Sequence, residues 1–420
     1  MRWSPKPLEI GPLDGFKGTD LFQYRAFGEH LAELIGLLED NPVLVLDGPW
    51  GSGKTTFAHQ LAGVLRNQGH AVAYFDAFAS DHHKDPFLAL VEEVHCLATE
   101  AKVASNSGTL PKFTKATVAV AKELGLTTVE GALPLLGSLL RAGVDAGSQA
   151  DAPPLERWLR QAAARKEALA EFRERLSGIA EVLTLESPTK EQEQATTSES
   201  EASNRPRLVF IVDELDRCRP TFALAVLERI KHIFGVQGVT FLLVANLKEL
   251  GKSVLKVYGN VDETRYLEKF FEIVVRLPES TAGGHRLTIR AYVYYLSKQL
   301  RFPRDNFHGN RHLDLLCALA EAENLSLRSL EHTMRQALVL APSARPEIVA
   351  LLPFLRTARP TLFSRILQMP QEPLTEEEKT ELGDLANRLG ERARDYFLQD
   401  LESNGRLANF ARLLDQYSFR

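Results

Sequence analysis

The sequence predicts an α/β protein with a three-layer core, in which helices cover both faces of a parallel sheet, a helical insertion and an all-helical C-terminal domain. Two observations predict this class. Short apolar runs of β type alternate with helical periodicity up to about residue 100 and again from about residue 205, and the pattern after Pro278 is helical throughout. Strands that alternate with helices pair in parallel through right-handed crossovers, so both alternating regions are expected to share one sheet.

The composition is that of an ordinary globular protein. The chain has 420 residues, of which 44% are hydrophobic and 25% charged, and its net charge is −5. This charge argues against a chain-wide basic surface for nucleic acid. The three cysteines are too few and too widely separated for a disulfide framework, which favours a reducing, cytoplasmic location. Without a run of about 18 uninterrupted apolar residues, the sequence predicts no membrane helix.

The first predicted region, residues 1–100, carries the lead-in and the first half of the core. Apolar residues from Phe22 to Leu38 recur at helical spacing. A strand, a glycine-rich turn, a helix, a second strand and a second helix follow at 43–46, 48–53, 55–68, 71–75 and 86–99.

The second predicted region, residues 101–204, interrupts this alternation. It contains a predicted helix pair at 113–124 and 131–142, then a long heptad-like helix from Pro154 to Leu183. Residues 187–204 lack large apolar side chains and are rich in Glu, Gln, Ser and Thr, which predicts a disordered acidic linker.

The third predicted region, residues 205–285, completes the sheet, and the fourth, residues 286–420, is helical. The elements predicted for the third region are strands at 208–212, 239–245 and 272–277 and a helix at 221–234. Near the C-terminus, Thr375 and Glu378 form a predicted capping box ahead of a helix.

The glycine-rich turn carries the strongest functional signal. Its sequence GPWGSGKT, Gly48 to Thr55, fits the phosphate-binding pattern GxxxxGK[ST] in every fixed position, and it lies between a strand and a helix. Backbone N–H groups of such a loop point at phosphate oxygens, and the helix dipole adds to their attraction. Lys54 is expected to reach the β- and γ-phosphates and the Thr55 hydroxyl to ligate Mg²⁺. The predicted nucleotide-binding residues are Gly48, Pro49, Trp50, Gly51, Ser52, Gly53, Lys54, Thr55 and Thr56.

Two carboxylates end the apolar strand that opens the third region. Asp213 and Glu214 follow the run RLVFIV directly. The carboxyl ends of parallel strands lie at the same edge as the phosphate loop, so these groups are expected beside the phosphates. There Asp213 would order Mg²⁺ through water, and Glu214 would polarise the attacking water.

These two motifs together resemble the KAP family of P-loop NTPases, within the wider AAA+/STAND-like group of additional-strand ATPases. The segment DELDRC from Asp213 to Cys218 carries the resemblance with the phosphate loop. Three further segments are similar to stretches of that family, namely YFDAF at 74–78, YLEK at 266–269 and LRSLEHTMR at 327–335. The resemblance extends over residues 15–340 and implies a P-loop NTPase core that uses ATP and Mg²⁺.

Two further candidate catalytic residues join Lys54 and Glu214. Asn246 ends a predicted strand next to the strand that leads into Asp213 and Glu214, the Walker B residues. There it either orients the attacking water like a sensor residue or simply starts a turn. Arg328, at the start of the helix that matches the family's helical domain, either contacts the γ-phosphate or pairs on the surface.

Three functions fit these residues. The first is an ATP-hydrolysing switch or assembly ATPase, and the resemblance associates it with signalling or conflict, including bacterial anti-phage defence. Its partners would be copies of itself or other proteins, contacted through the helical insertion and the C-terminal domain. The second is a P-loop kinase acting on a small molecule, and the third is a nucleotide-dependent scaffold with little hydrolysis. The chain has no Asn-Lys-x-Asp segment for reading guanine, which favours ATP over GTP.

Overall fold

A computed structural model describes most of the chain. The described residues are 3–6, 8–38, 40–101, 108–126, 154–185, 207–278, 284–302, 310–342, 344–369, 372–387 and 406–416. The predicted helix at 131–142 and the predicted linker at 187–204 lie outside these residues.

The core is built on a sheet of five parallel strands. The strands are β1 (Val43–Asp47), β2 (Ala71–Asp76), β3 (Leu208–Asp213), β4 (Val239–Ala245) and β5 (Ile273–Arg276). Their order across the sheet is β2-β3-β4-β1-β5, so β4 separates the strand that leads into the phosphate loop from the strand that ends in Asp213. In register, Asp47 pairs with Ala245 and Asp213 with Val244, so the three central strands end at the same edge.

Helices cover both faces of this sheet. They are α1 (Arg25–Leu37), α2 (Lys54–Asn67), α3 (Pro86–Glu100), α4 (Thr109–Glu123), α5 (Pro154–Leu185), α6 (Pro220–Arg229), α7 (Leu247–Tyr258) and α8 (Glu263–Leu267). One face buries Phe210 and Phe241 against α3, α5 and α6, and the other buries Leu44 and Ile211 against Phe57 of α2. The three-layer α/β/α class is thereby confirmed, with an insertion helix that packs on the core.

The C-terminal part is helical and has a hydrophobic core of its own. Its helices are α9 (Gly284–Gln299), α10 (Arg311–Ala322), α11 (Leu327–Leu340), α12 (Pro346–Ala358), α13 (Pro360–Gln368), α14 (Glu376–Asn387) and α15 (Arg406–Asp415). The predicted capping box is present, because the Glu378 N–H donates to the Thr375 hydroxyl at 3.2 Å and the Thr375 N–H donates to the Glu378 carboxylate at 2.8 Å.

Some element boundaries differ from the sequence predictions. Phe22 precedes α1, which begins at Arg25, and packs instead against Tyr292 of α9 with a ring-centroid distance of 6.0 Å. The predicted helix at 221–234 is α6 followed by a π-helical turn at Ile230–Phe234. Periodicity therefore overestimated only the first helix, because Phe22 packs against another helix beyond its start, whereas the predicted span 221–234 is helical throughout. Among the described residues, no helix has the length and apolar character needed to cross a membrane.

Candidate nucleotide-binding site

The phosphate loop joins the end of β1 to the first turn of α2. Gly51 and Gly53 adopt left-handed backbone conformations, with φ angles of 75° and 92°, which cost glycine little. Lys54 is only 9% exposed, and its ammonium group donates to the carbonyls of Gly48 at 2.5 Å and Pro49 at 3.0 Å. The loop therefore holds the Lys54 ammonium group close to its own backbone, where it could bind the oxygens of a phosphate.

Two observations test whether this loop suits an anionic ligand. Burial lowers the pKa of Lys54, while the carboxylates of Asp216, Asp213 and Asp47 oppose this shift. The negative charge of an added phosphate would likewise offset the cost of burying the ammonium group. The Ser52 hydroxyl oxygen is buried, with no hydrogen-bond partner among the described residues. Buried polar groups normally have such partners. Both observations fit a bound nucleotide.

Asp213 is a buried carboxylate whose two oxygens are both held. It is 4% exposed. Its Oδ1 accepts the backbone N–H of Glu214 at 2.7 Å, and its Oδ2 accepts the Tyr74 hydroxyl at 2.8 Å. Burial, reinforced by the neighbouring Asp213 charge, raises the pKa of the Tyr74 phenol, which therefore acts as a donor at neutral pH. With Thr55 nearby on the phosphate loop, these oxygens suit a hydrated Mg²⁺ ion.

Glu214 is held by an ion pair within its own motif. Its backbone is left-handed, with a φ of 59°, and its Oε1 lies 2.7 Å from the Arg217 guanidinium. Burial raises the pKa of Glu214, and Arg217 is the main opposing influence. This ion pair would compete with any role of the Glu214 carboxylate as a proton acceptor.

A cavity of about 780 Å³ lies over the phosphate loop. This volume is in the range of a small-molecule site. Three parts of the chain line the cavity: the N-terminal segment, the phosphate loop with the Walker B residues, and the helical domain. The helical domain contributes Tyr292, Tyr295, Leu296, Leu327, Arg328, Glu331 and Arg335.

The first turn of α11 rests directly on the phosphate loop. The Leu327 N–H donates to the Gly51 carbonyl at 3.0 Å. A Cβ atom at Gly51 would lie 2.8 Å from the Arg328 Cβ, which real structures do not tolerate. Ser326 caps the helix by accepting the Ser329 N–H at 3.1 Å. The helical domain therefore contacts the phosphate loop directly at Gly51.

The structure brings most of the predicted site residues to this cavity. Those that line it are Trp50, Gly51, Ser52, Gly53, Lys54, Thr55, Thr56, Asp213, Glu214 and Arg328. Gly48 and Pro49 supply the carbonyls that hold Lys54. Asn246 instead caps α7 and accepts the Glu249 N–H at 3.4 Å, and it is not among the lining residues.

Sequence reasoning missed several residues of the site. Arg217 pairs with Glu214, and its position within DELDRC was an available signal. Phe22 and Tyr24 also line the cavity, but the spacing of Phe22 indicated a helix, and Tyr24 gave no signal of its own. Tyr292 gave no local signal, because its place in the site depends on how the helical domain docks.

Comparison with known proteins gives one family. The model described as the KAP family P-loop domain matches residues 24–343. No curated protein matches the chain. Among solved structures, the chain is similar to that of the Aeropyrum pernix ORC2 protein in ADPNP–ADP complexes, with 14% identity over 98% of this chain and 95% of that chain. The TM-score of 0.37 is too low for this likeness to bear on the site.

Proposed function

Since this chain belongs to the KAP family of P-loop NTPases, we propose that it binds ATP with Mg²⁺ in the cavity over the phosphate loop and hydrolyses it. The observation that carries the proposal is convergence. Lys54, Asp213, Glu214 and Arg328, from three separate stretches of the chain, all line one cavity. Phosphoryl transfer to water requires four kinds of group: a cation that binds the phosphates, a carboxylate that holds the metal, a base, and a second cation.

Each residue has a defined role in this proposal. Lys54 leaves the Gly48 and Pro49 carbonyls and binds the β- and γ-phosphate oxygens. The Thr55 hydroxyl and Asp213 would hold Mg²⁺, which neutralises phosphate charge when bound. Glu214 accepts a proton from water as the water oxygen bonds to the γ-phosphorus and the bond to the bridging oxygen breaks, which yields ADP and inorganic phosphate. Arg328 supports the charge on the γ-phosphate.

Hydrolysis would act on the helical domain through α11. Contact between Leu327 and Gly51 supports a switch in which phosphate occupancy repositions this domain. We infer that the insertion and the C-terminal domain then engage partner proteins or further copies of the chain in an assembly step. The family resemblance supports a cytoplasmic role in bacterial anti-phage defence. Asn246 remains a proposed sensor of the attacking water.

One observation favours a second function, a nucleotide-dependent scaffold with little hydrolysis. The ion pair between Glu214 and Arg217, at 2.7 Å, restrains the proposed base. If this pair persists when nucleotide is bound, water activation is weak and the chain binds ATP without turning it over.

Two variants test binding and chemistry separately. Lys54→Ala should bind labelled ATP far more weakly, because it removes the buried phosphate cation. Glu214→Gln should bind ATP normally but release phosphate about 10²-fold more slowly, the scale for a positioned base. The indole of Trp50, 45% exposed in the cavity wall, provides an emission signal for binding.

Lys252→Ala is the matched control, because Lys252 is an exposed lysine paired with Glu249 on α7. Normal ATP binding by Lys54→Ala would show that the phosphate site is wrongly assigned. Unchanged turnover in Glu214→Gln would place the base elsewhere. ATP binding by the parent without phosphate release would select the scaffold function.

A further inference from the structure

Tyr74 reaches the candidate metal carboxylate from the neighbouring strand. Strands β2 and β3 pair in parallel, with Tyr74 opposite Ile211 and Asp76 opposite Asp213. Side chains alternate along a strand, so Tyr74 and Asp213 project from the same face of the sheet. The Tyr74 hydroxyl donates to Asp213 Oδ2 at 2.8 Å. A charge-assisted hydrogen bond of this kind orients a carboxylate as well as stabilising its charge.

A second side chain fixes the Tyr74 ring. The imidazole of His59 stacks on it with a centroid distance of 4.1 Å and an interplanar angle of 9°. His59 lies on α2, five residues after Lys54, so the helix that follows the phosphate loop clamps the phenol. The phosphate loop, α2, β2 and β3 are therefore linked through this one ring.

Asp213 retains capacity for metal-bound water despite these contacts. Each carboxylate oxygen can accept two hydrogen bonds, and the Glu214 N–H and the Tyr74 hydroxyl occupy one position on each. One acceptor position therefore remains on each oxygen. Partners that orient a metal-binding group in this way typically contribute 10–100-fold to metal affinity or activity.

We propose that Tyr74 is a positioning residue for Mg²⁺, which sets the orientation of Asp213 and thereby the magnesium affinity of the nucleotide site. This inference rests on the proposed function. It predicts an effect on the magnesium response rather than on nucleotide binding itself, since Tyr74 is not among the residues that line the cavity. A merely structural tie between β2 and β3 would alter stability and leave the magnesium response unchanged.

The test compares two tyrosines that each donate to an aspartate. Tyr74→Phe removes only the hydroxyl. Tyr294→Phe is the matched control, because the Tyr294 hydroxyl donates to Asp314 Oδ1 at 2.9 Å within the helical domain. For each protein, affinity for a slowly hydrolysed ATP analogue is measured in EDTA through the change in tryptophan emission expected from Trp50. The measurement is repeated as MgCl₂ is titrated in.

Tyr74→Phe should keep the parent affinity in EDTA and need about tenfold more Mg²⁺ for half-maximal tightening. Tyr294→Phe should follow the parent curve. His59→Ala, which unclamps the ring but leaves the hydroxyl, should shift the curve in the same direction by less. This variant decides the question should Tyr74→Phe fail to fold.

Two results would contradict the inference, and only one of them would also contradict the proposed function. A parent-like magnesium curve for Tyr74→Phe, beside clear tightening of the parent by Mg²⁺, removes the role of Tyr74 and leaves the proposed function intact. A parent that binds no nucleotide in either condition removes both.

Discussion

Single buried polar residues align the strands whose ends form the site. His70, 2% exposed, accepts the Arg207 backbone N–H on its Nδ1 at 3.1 Å just before β3 begins. The Arg207 guanidinium in turn reaches the Asp40 carbonyl at 3.3 Å and the Asn41 side chain at 3.4 Å ahead of β1. These contacts lie at the amino ends of the strands, opposite the phosphate loop. They stabilise the register on which the position of Asp213 depends.

The burial of His70 predicts a pH-dependent stability. Burial, with Arg207 nearby, lowers its pKa to about 4. Below pH 6.5 the unfolded chain therefore binds a proton that the folded chain excludes. The free energy of unfolding consequently decreases as the pH is lowered. Between pH 7.5 and pH 5, His70 should lower the free energy of unfolding by about 2 kcal/mol. In urea titrations at both pH values, His70→Gln should lose this difference.

The control for this measurement is His30→Gln, at an exposed position on α1. It should retain the pH difference of the parent. If His70→Gln and the parent lose equal free energy between the two pH values, another group controls acid stability.

At the scale of elements, the start of α11 is the part of the helical domain that meets the nucleotide site. Its cap, Ser326, contacts Gly51, since a Cβ there would lie 3.1 Å from the Ser326 hydroxyl oxygen. The next residue, Leu327, donates the hydrogen bond to the loop. Arg328 follows it and supplies the guanidinium that is the candidate partner of the γ-phosphate. Fraying of this single turn would separate the domain from the loop.

Two helix caps with similar geometry test this element. Ser326→Ala and Thr375→Ala each remove a hydroxyl that accepts a backbone N–H, at 3.1 Å in α11 and 3.2 Å in α14. Each should lower the free energy of unfolding by about 1 kcal/mol. Only Ser326→Ala should also weaken binding of the ATP analogue, by about fivefold if the cap energy is lost from the bound state. Equal affinities for the two variants would contradict a role for this turn in binding.

At the scale of the whole molecule, the cavity joins two separate hydrophobic cores. One group of clusters surrounds the sheet and another lies within the helical domain. All three tryptophans, Trp3, Trp50 and Trp158, precede the helical domain in the chain. Tryptophan emission therefore follows unfolding of the first part, whereas circular dichroism follows helices in both.

This separation predicts how nucleotide changes thermal unfolding. A ligand at a concentration 100 times its dissociation constant stabilises the state that binds it by about 2.7 kcal/mol. Because both parts line the cavity, Mg²⁺ with the ATP analogue should raise the unfolding midpoints seen by both probes. In Arg328→Ala the rise seen by circular dichroism should shrink more than the rise seen by emission.

Lys298→Ala, at an exposed position on α9, is the control for Arg328→Ala and should behave like the parent. A parent in which nucleotide moves only the emission midpoint would show that the helical domain takes no part in binding.

The sequence by itself determined the class of fold and the chemically contiguous parts of the site. Strands and helices of the core were predictable because burial imposes a period on neighbouring residues. The phosphate loop was predictable because its backbone must turn, expose N–H groups and open a helix within eight residues. Asp213 and Glu214 followed because they end a buried strand whose carboxyl edge is shared with that loop.

Only the tertiary structure decided which distant residues complete the site. The contact of Tyr74 with Asp213 and the docking of Leu327 on Gly51 join residues far apart in the chain. The position of Asn246 at the start of α7, rather than in the cavity wall, also depends on where that helix begins. Such contacts depend on the order of strands in the sheet and on how a second hydrophobic core packs against the first. Local periodicity carries no information on either, because it reports only that a face is buried and not what buries it.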